Sequence, residues 1–155
     1  MKKYIGTKII EAVPAIRLEG KIYEEGWPIP RCMGQREEGY KVRYADGYES
    51  WSPKAVFEAA YLEVVTNKNL RTNAPSISQE MVDDFISSYD VLTLGDKCTV
   101  VRATLRNGFE IVESSACVSA ENYDEKMGAE ICKDKIKDKV WFLLGFLLQT
   151  AVHGI

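Results

Sequence analysis

Residues 98–112 have the sequence CTVVRATLRNGFEIV, which predicts a β-hairpin. The first eight residues are rich in the β-branched side chains that strands favour. Asn107-Gly108 is the dipeptide preferred in two-residue type I′ turns, and residues 109–112 alternate between apolar and polar side chains as a half-buried return strand does. We expect the rest of the second half of the chain to be built around this hairpin.

A long helix is predicted after the hairpin, from Ala120 to about Thr150, with Ser119 as its N-cap. At 1.5 Å per residue this helix would be about 45 Å long, which exceeds the roughly 30–40 Å diameter of a globule of this size. Its end, Trp141 to Leu148, is apolar on every side, whereas a surface helix has one apolar face.

Two explanations account for the apolar helix end. Gly145 could break the helix so that its end folds back, or a second subunit could cover the end. We favour the second explanation, because a helix end that is apolar on every side must be covered on several sides to be shielded from water. The sequence therefore predicts a homo-oligomer whose interface includes Trp141, Leu144 and Leu148.

The first sixty residues predict a small β-rich module. Strands are expected at Tyr4–Val13 and Gly39–Tyr44, and Asp46-Gly47 is a hairpin turn signal before a return strand. Ser52 is the expected N-cap of a short helix with Pro53 at its first position. A second helix, from about Ile77 to Ser87, is expected behind a capping box at Ser76 and Gln79.

These elements place the chain in the α+β class, with an N-terminal β-module, a hairpin-containing second half and a long C-terminal helix that forms the oligomer interface. The expected domains are residues 1–63 and 78–155, joined by a linker at 64–77 that is rich in Asn, Pro and hydroxyl residues.

Composition excludes several classes of protein. The formal net charge is −3, so no overall positive field attracts a nucleic-acid polymer or anionic lipid. The N-terminus lacks the apolar region of a signal peptide, and the longest apolar run, Val140–Leu148, is far shorter than the ~20 residues of a membrane helix. The four dispersed cysteines favour free thiols rather than a disulfide framework or a zinc site. We therefore expect a protein of the host cytoplasm without a metal or cofactor.

Catalysis is not indicated by any motif. The chain has one histidine, His153, close to the C-terminus, where helices commonly fray. No nucleophile elbow, phosphate-binding loop, metalloprotease or dinucleotide-binding motif is present. Acidic residues are plentiful, but nothing marks out a catalytic pair. We expect a binding protein rather than an enzyme.

Candidate ligand-binding residues concentrate on the predicted hairpin. Arg102 and Arg106 supply guanidinium groups, which suit pyrophosphate, and Phe109 supplies an aromatic face for a base. Asn107 could read a ring edge, although its structural role in the turn needs no ligand. The full candidate set adds one arginine for phosphate and one further amide, Arg71 and Asn122.

Two segments resemble known phage proteins. The residues that carry the first resemblance are Thr104–Phe109, Glu113–Val118, Glu121–Asp124, Gly128, Lys139–Trp141 and Leu144–Leu148. On these the second half resembles a widespread family of small phage proteins, called here the gene-forty-nine family after its member in a lytic coliphage. This family implies little about activity. Tyr4–Ile10, Glu38–Tyr40 and Asp46–Lys54 resemble a module that precedes several short phage proteins.

Some proteins with this module are similar to phage anti-defence sponges, and the architecture is similar to the Thoeris anti-defence proteins. The resemblance implies sequestration of a nucleotide immune signal, a cyclic ADP-ribose isomer or, as in some relatives, a cyclic oligonucleotide, without cleavage. Two other classes stay open, a phage structural or protein-interaction module without a small ligand, and a hydrolase or lyase acting on the same signals.

Overall fold

The computed structural model describes residues 1–31 and 34–155. The chain divides into two compact units, residues 1–63 with 150–155 and residues 64–149. Two antiparallel sheets and a 29-residue helix confirm the α+β class. The predicted limits of the two domains and of the linker at 64–77 remain a prediction.

The first unit is a four-stranded antiparallel sheet followed by a short helix. The strands are β1 (Glu11–Leu18), β2 (Lys21–Glu24), β3 (Arg36–Arg43) and β4 (Glu49–Pro53), in the order β2-β1-β3-β4, and the helix is α1 (Lys54–Ala60). Glu19 and Gly20, with φ of 50° and 80°, turn β1 into β2. The predicted hairpin around Asp46-Gly47 is confirmed, since β3 and β4 pair on either side of it, but its loop is residues 45–47 rather than the predicted two residues.

Three predictions for this unit are wrong. The strand expected at Tyr4–Val13 begins only at Glu11, because the eight residues of β3 pair in register with Glu11–Leu18 and leave no partner for the preceding segment. The sequence predicts no strand between Val13 and Gly39, but β1 extends to Leu18 and β2 follows it. Ser52 lies in β4, and α1 begins one residue later than expected, after Pro53 and without a side-chain cap.

The second unit is a three-stranded antiparallel sheet with one long helix. Its elements are α2 (Gln79–Phe85), β5 (Ile86–Leu94), β6 (Cys98–Leu105), β7 (Glu110–Ala116), a 3-10 turn (Ala120–Asn122) and α3 (Glu125–His153), with strand order β5-β6-β7. The last four residues of α3, 150–153, belong to the first unit. The predicted hairpin is confirmed as β6 and β7, but its predicted two-residue type I′ turn is wrong. Residues 106–108 form a three-residue loop between Leu105 and Phe109, in which Gly108 has positive φ and Asn107 does not. The helix expected at 77–87 ends at Phe85 and is capped by Ser78 rather than Ser76.

Strand β5, like β2, was missed by the sequence pattern. It pairs with β6 from Ile86 opposite Leu105 to Leu94 opposite Cys98, with a register shift between Ile86 and Ser88. Residues 86–89, Ile-Ser-Ser-Tyr, are weak helix formers, so pairing with β6 prevails over continuation of α2. Tertiary pairing therefore determines where α2 ends.

Helix α3 begins at Glu125, five residues later than predicted, because Ser119 caps the short 3-10 turn and Asp124 Oδ1 accepts the amide of Met127 at 3.0 Å. The helix continues through Gly145, so the predicted alternative of a break there is wrong. Leu144 is buried within its own chain, and its expected place in an oligomer interface is therefore also wrong. The large apolar side chains that α3 exposes near this end are Phe142, Leu143, Phe146 and Leu147.

The start of α3 lies very close to β6. A Cβ atom on Gly128 would stand 2.8 Å from Thr99 Cβ and closer still to Thr99 Oγ1. Thr99 is fully buried, and its hydroxyl bonds with Tyr123 at 2.9 Å. Cys132, one turn further along the helix, contacts the carbonyl oxygen of Thr99. Only glycine allows the helix backbone to approach the strand this closely.

Cys98, Cys117 and Cys132 are free thiols, and burial raises the pKa of Cys132 above its ordinary value. Cys32 lies outside the described residues. Across the described residues, no helix combines the length and apolar character that a bilayer-spanning segment requires.

Replacing Gly128 by alanine should destabilise the protein, because the new methyl group overlaps a buried threonine. We expect a loss of about 1–3 kcal/mol in the free energy of unfolding, measured by urea denaturation. Gly145→Ala is the matched control in the same helix, since no atom lies within 4 Å of a Cβ there. It should stabilise the helix by up to about 1 kcal/mol. Equal effects of the two substitutions would contradict the close approach of α3 to β6.

Candidate functional site

The hairpin turn between β6 and β7 presents Phe109 to solvent. Leu105 and Phe109 close the turn through a 2.8 Å backbone hydrogen bond, and Gly108 adopts φ of 82°. Asn107 Oδ1 accepts the amide of Phe109 at 3.0 Å, so part of this side chain is used to fix the turn. The Phe109 residue is 58% exposed. The local sequence thus holds an aromatic ring outside the core.

A surface depression of about 380 Å³ adjoins this ring. Its lining comes from the start of β7 and from α3, and it comprises Phe109, Glu110, Ile111, Val112, Lys139, Phe142 and Leu143. Phe142 is 75% exposed, so two aromatic rings border the same open space. Lys139, the cation at this depression, forms an ion pair with the largely buried carboxylate of Glu113.

Arg102 lies on the sheet face away from the buried side of β6, where Val101 and Ala103 alternate with it as core residues. Its guanidinium donates to Asp90 Oδ2 at 3.1 and 2.8 Å and lies 3.5 Å from Glu110. These carboxylates raise the pKa of Arg102, the hydrogen bond to Asp90 contributing most. A phosphate bound to Arg102 would have to compete with both acidic side chains.

The other predicted residues are only partly brought together. Arg106, Asn107 and Phe109 share the turn that directly follows β6. The Arg106 amide donates to the carbonyl of Phe85 at 2.8 Å. Asn122 lies beyond the opposite end of β6, roughly 20–25 Å along the strand from Asn107. Arg71 is exposed in the segment before α2. The six residues therefore do not form one cluster, and their role in binding stays a prediction.

The predicted ligand-binding residues did not include three that line the depression, Phe142, Leu143 and Lys139. The sequence did carry a signal for Phe142 and Leu143, because residues 141–148 are apolar on every side of the helix. Helical spacing could not show that this face of α3 meets the start of β7. Among residues 1–31 and 34–155, no group of three or more potential metal ligands is assembled.

Residues 77–152 match the model of a family described as the Phage protein (N4 Gp49/phage Sf6 gene 66) family. The matched span contains α2, the three-stranded sheet and all of α3 except its last residue. The resemblance of the second half to a phage gene-49-like family is therefore confirmed. No curated protein and no solved structure matches the chain.

The exposure of Phe109 predicts that its ring contributes little to folding. Phe109→Ala should lower the free energy of unfolding by less than about 1 kcal/mol, because most of the ring is already in water. The control is Ile111→Ala, two residues along the chain at a buried position, which should cost about 2–5 kcal/mol. Urea denaturation of both variants makes the comparison, and similar losses would place Phe109 in the core.

Proposed function

We propose that the chain is a phage protein that binds a small nucleotide-type ligand at the Phe109–Phe142 depression and sequesters it without cleavage. The observation that carries this proposal is the pair of exposed aromatic rings at one depression. Aromatic faces stack on nucleobases, and each stacked base contributes about 1–3 kcal/mol to binding. Two rings on different elements can hold a base between them or stack on two bases.

The surroundings of the two rings support the same ligand class. The depression, about 380 Å³, falls within the size range of small-molecule sites. The Lys139 ammonium has three donor positions, so it can bind a phosphate while it keeps its ion pair with Glu113. Arg106, next to Asn107 in the turn, is the second cation we assign to phosphate. Arg102 would have to exchange its ion pairs with Asp90 and Glu110 to bind a phosphate.

Sequestration requires affinity on the order of −12 kcal/mol for nanomolar binding, and sites of that strength enclose most of the ligand. The depression is open to solvent on its own. We therefore assign the exposed apolar residues of α3 to a homo-oligomer interface that closes over the ligand. Phe142, Leu143 and Leu147 replace Leu144 in this interface, because Leu144 is buried in its own chain.

A protein-interaction module without a small ligand is the second candidate. It is favoured by the apolar surface of α3, which extends past the depression to Leu147. Large exposed apolar surfaces mark protein-binding sites as well as ligand grooves. Retention of a small ligand separates the two candidates.

The ligand test uses cyclic ADP-ribose isomers and cyclic dinucleotides as probes. Each is incubated with the protein, unbound probe is removed, the protein is denatured by heat, and the released compound is analysed by chromatography. We expect intact probe. Phe109→Ala and Phe142→Ala should each weaken binding by about 10–100-fold, the effect of losing one stacked ring. Leu94→Ala, an exposed apolar residue outside the depression, should bind normally.

Other outcomes of this test identify the competing functions. An altered probe would mean a hydrolase or lyase and would overturn sequestration. Absence of retained probe would overturn the ligand site and favour the interaction module. Normal binding by both phenylalanine variants would move the site away from the depression.

The proposed interface predicts the mass of the protein in solution. Unaltered protein at micromolar concentration should scatter light as an oligomer. The double substitution Leu143→Glu with Leu147→Glu should yield a smaller species, because burying these carboxylates costs several kcal/mol. Thermal melting of the variant checks that it is folded. An unchanged mass for the folded variant would exclude this face as the interface.

A further inference from the structure

The first unit contains a groove of about 380 Å³ that has no place in the proposed function. Its apolar floor is formed by β1, β3 and the segment around β2, with contributions from Pro14, Ala15, Ile16, Tyr23, Ile29 and Tyr40. Its charged side chains are Glu24, Glu25, Glu38, Glu58 and Lys54. Four carboxylates against one ammonium leave the rim acidic, so the groove suits a ligand that is both cationic and partly apolar.

The Tyr40 wall of this groove is held in place by neighbouring side chains. The Tyr40 ring stacks on Phe57 of α1 with ring centroids 4.1 Å apart, and its hydroxyl donates to Glu58 at 3.0 Å. That hydrogen bond raises the pKa of Tyr40. Lys41 neutralises part of the charge of Glu24, whereas the Glu38 carboxylate is 3.5 Å from Lys54 and remains largely exposed. The groove is therefore a shaped surface with acidic groups at its rim.

The chain itself contains a segment of matching chemistry. Residues 2–5 are Lys-Lys-Tyr-Ile and precede β1. Tyr4 and Ile5 are 90% and 89% exposed, so neither occupies the groove of its own chain. The Lys8 ammonium lies 4.2 Å from the centre of the Tyr44 ring, which anchors the base of this segment near the end of β3. Two ammonium groups beside two exposed apolar side chains complement an acidic rim around an apolar floor.

We propose that residues 2–5 of a second copy of the chain dock into this groove. Tyr4 and Ile5 cover the apolar floor, and Lys2 and Lys3 pair with Glu25 and Glu38 at the rim. Each copy offers one segment and one groove, so reciprocal exchange gives a closed dimer. This interface lies wholly within the first unit and does not depend on the ligand site of the second.

The test is photo-crosslinking of the full chain with Tyr4 replaced by photoreactive benzoylphenylalanine. After irradiation, a denaturing gel should show a covalent dimer, and peptide mapping should place the crosslink on the groove segments around Tyr23 or Tyr40. The readout is specific to this interface, because peptide mapping identifies the residues that residue 4 contacts in the partner copy. A crosslink to the groove within one chain would overturn the assignment to a second copy, and the absence of any groove crosslink would overturn the site.

Charge reversal tests the proposed pairing in the same photoreactive protein. Glu25→Lys with Glu38→Lys should lower the yield of groove-crosslinked dimer by about tenfold, since like charges would then meet at the rim. Adding Lys2→Glu and Lys3→Glu to that variant should restore the yield. The control adds Lys68→Glu and Lys126→Glu to the groove variant instead. These two exposed lysines lie outside the first unit, so the charge change is the same and the yield of dimer should stay low. An unchanged yield after reversal of the groove charges would overturn the charge pairing.

Discussion

The close approach of α3 to β6 at Gly128 is the constraint on which the second unit depends. A side chain at this position would overlap buried Thr99, so the helix lies directly on the strand. Tyr123 and Cys132, on either side of Gly128, both bond with Thr99, which fixes the rotation of the helix as well as its distance from the sheet. These contacts at the start of α3 thereby set the direction of a helix 29 residues long.

This rotation determines which apolar residues of α3 are buried and which are exposed. Ile136, Val140 and Leu144 follow Cys132 at spacings of four and are buried. Phe142 then necessarily lies on another face, beside the turn that exposes Phe109. The aromatic depression is therefore a consequence of helix packing at Gly128, about four turns away, and the ligand proposal rests on that geometry.

The two units carry surfaces of different chemistry. The aromatic depression of the second unit has Lys139 at its edge, which suits an anionic ligand with flat rings. The groove of the first unit has an acidic rim, which would repel a phosphate and attract a basic segment. A chain with a net charge of −3 thus separates its charges locally, and the overall charge describes neither surface.

The sequence by itself determined the elements whose signals are local. Gly108 and Gly47 specify the turns of their hairpins, because each adopts a positive φ that few other residues tolerate, and the apolar pattern specifies a long final helix. Tertiary structure alone decided the rest. Strand β5 and the start of β1 depend on pairing with distant strands, and a strand has no stability of its own until its partner is in register. Packing also decided where the predicted arginines and amides lie. Phe109 and Phe142 border the same depression because segments more than thirty residues apart pack together.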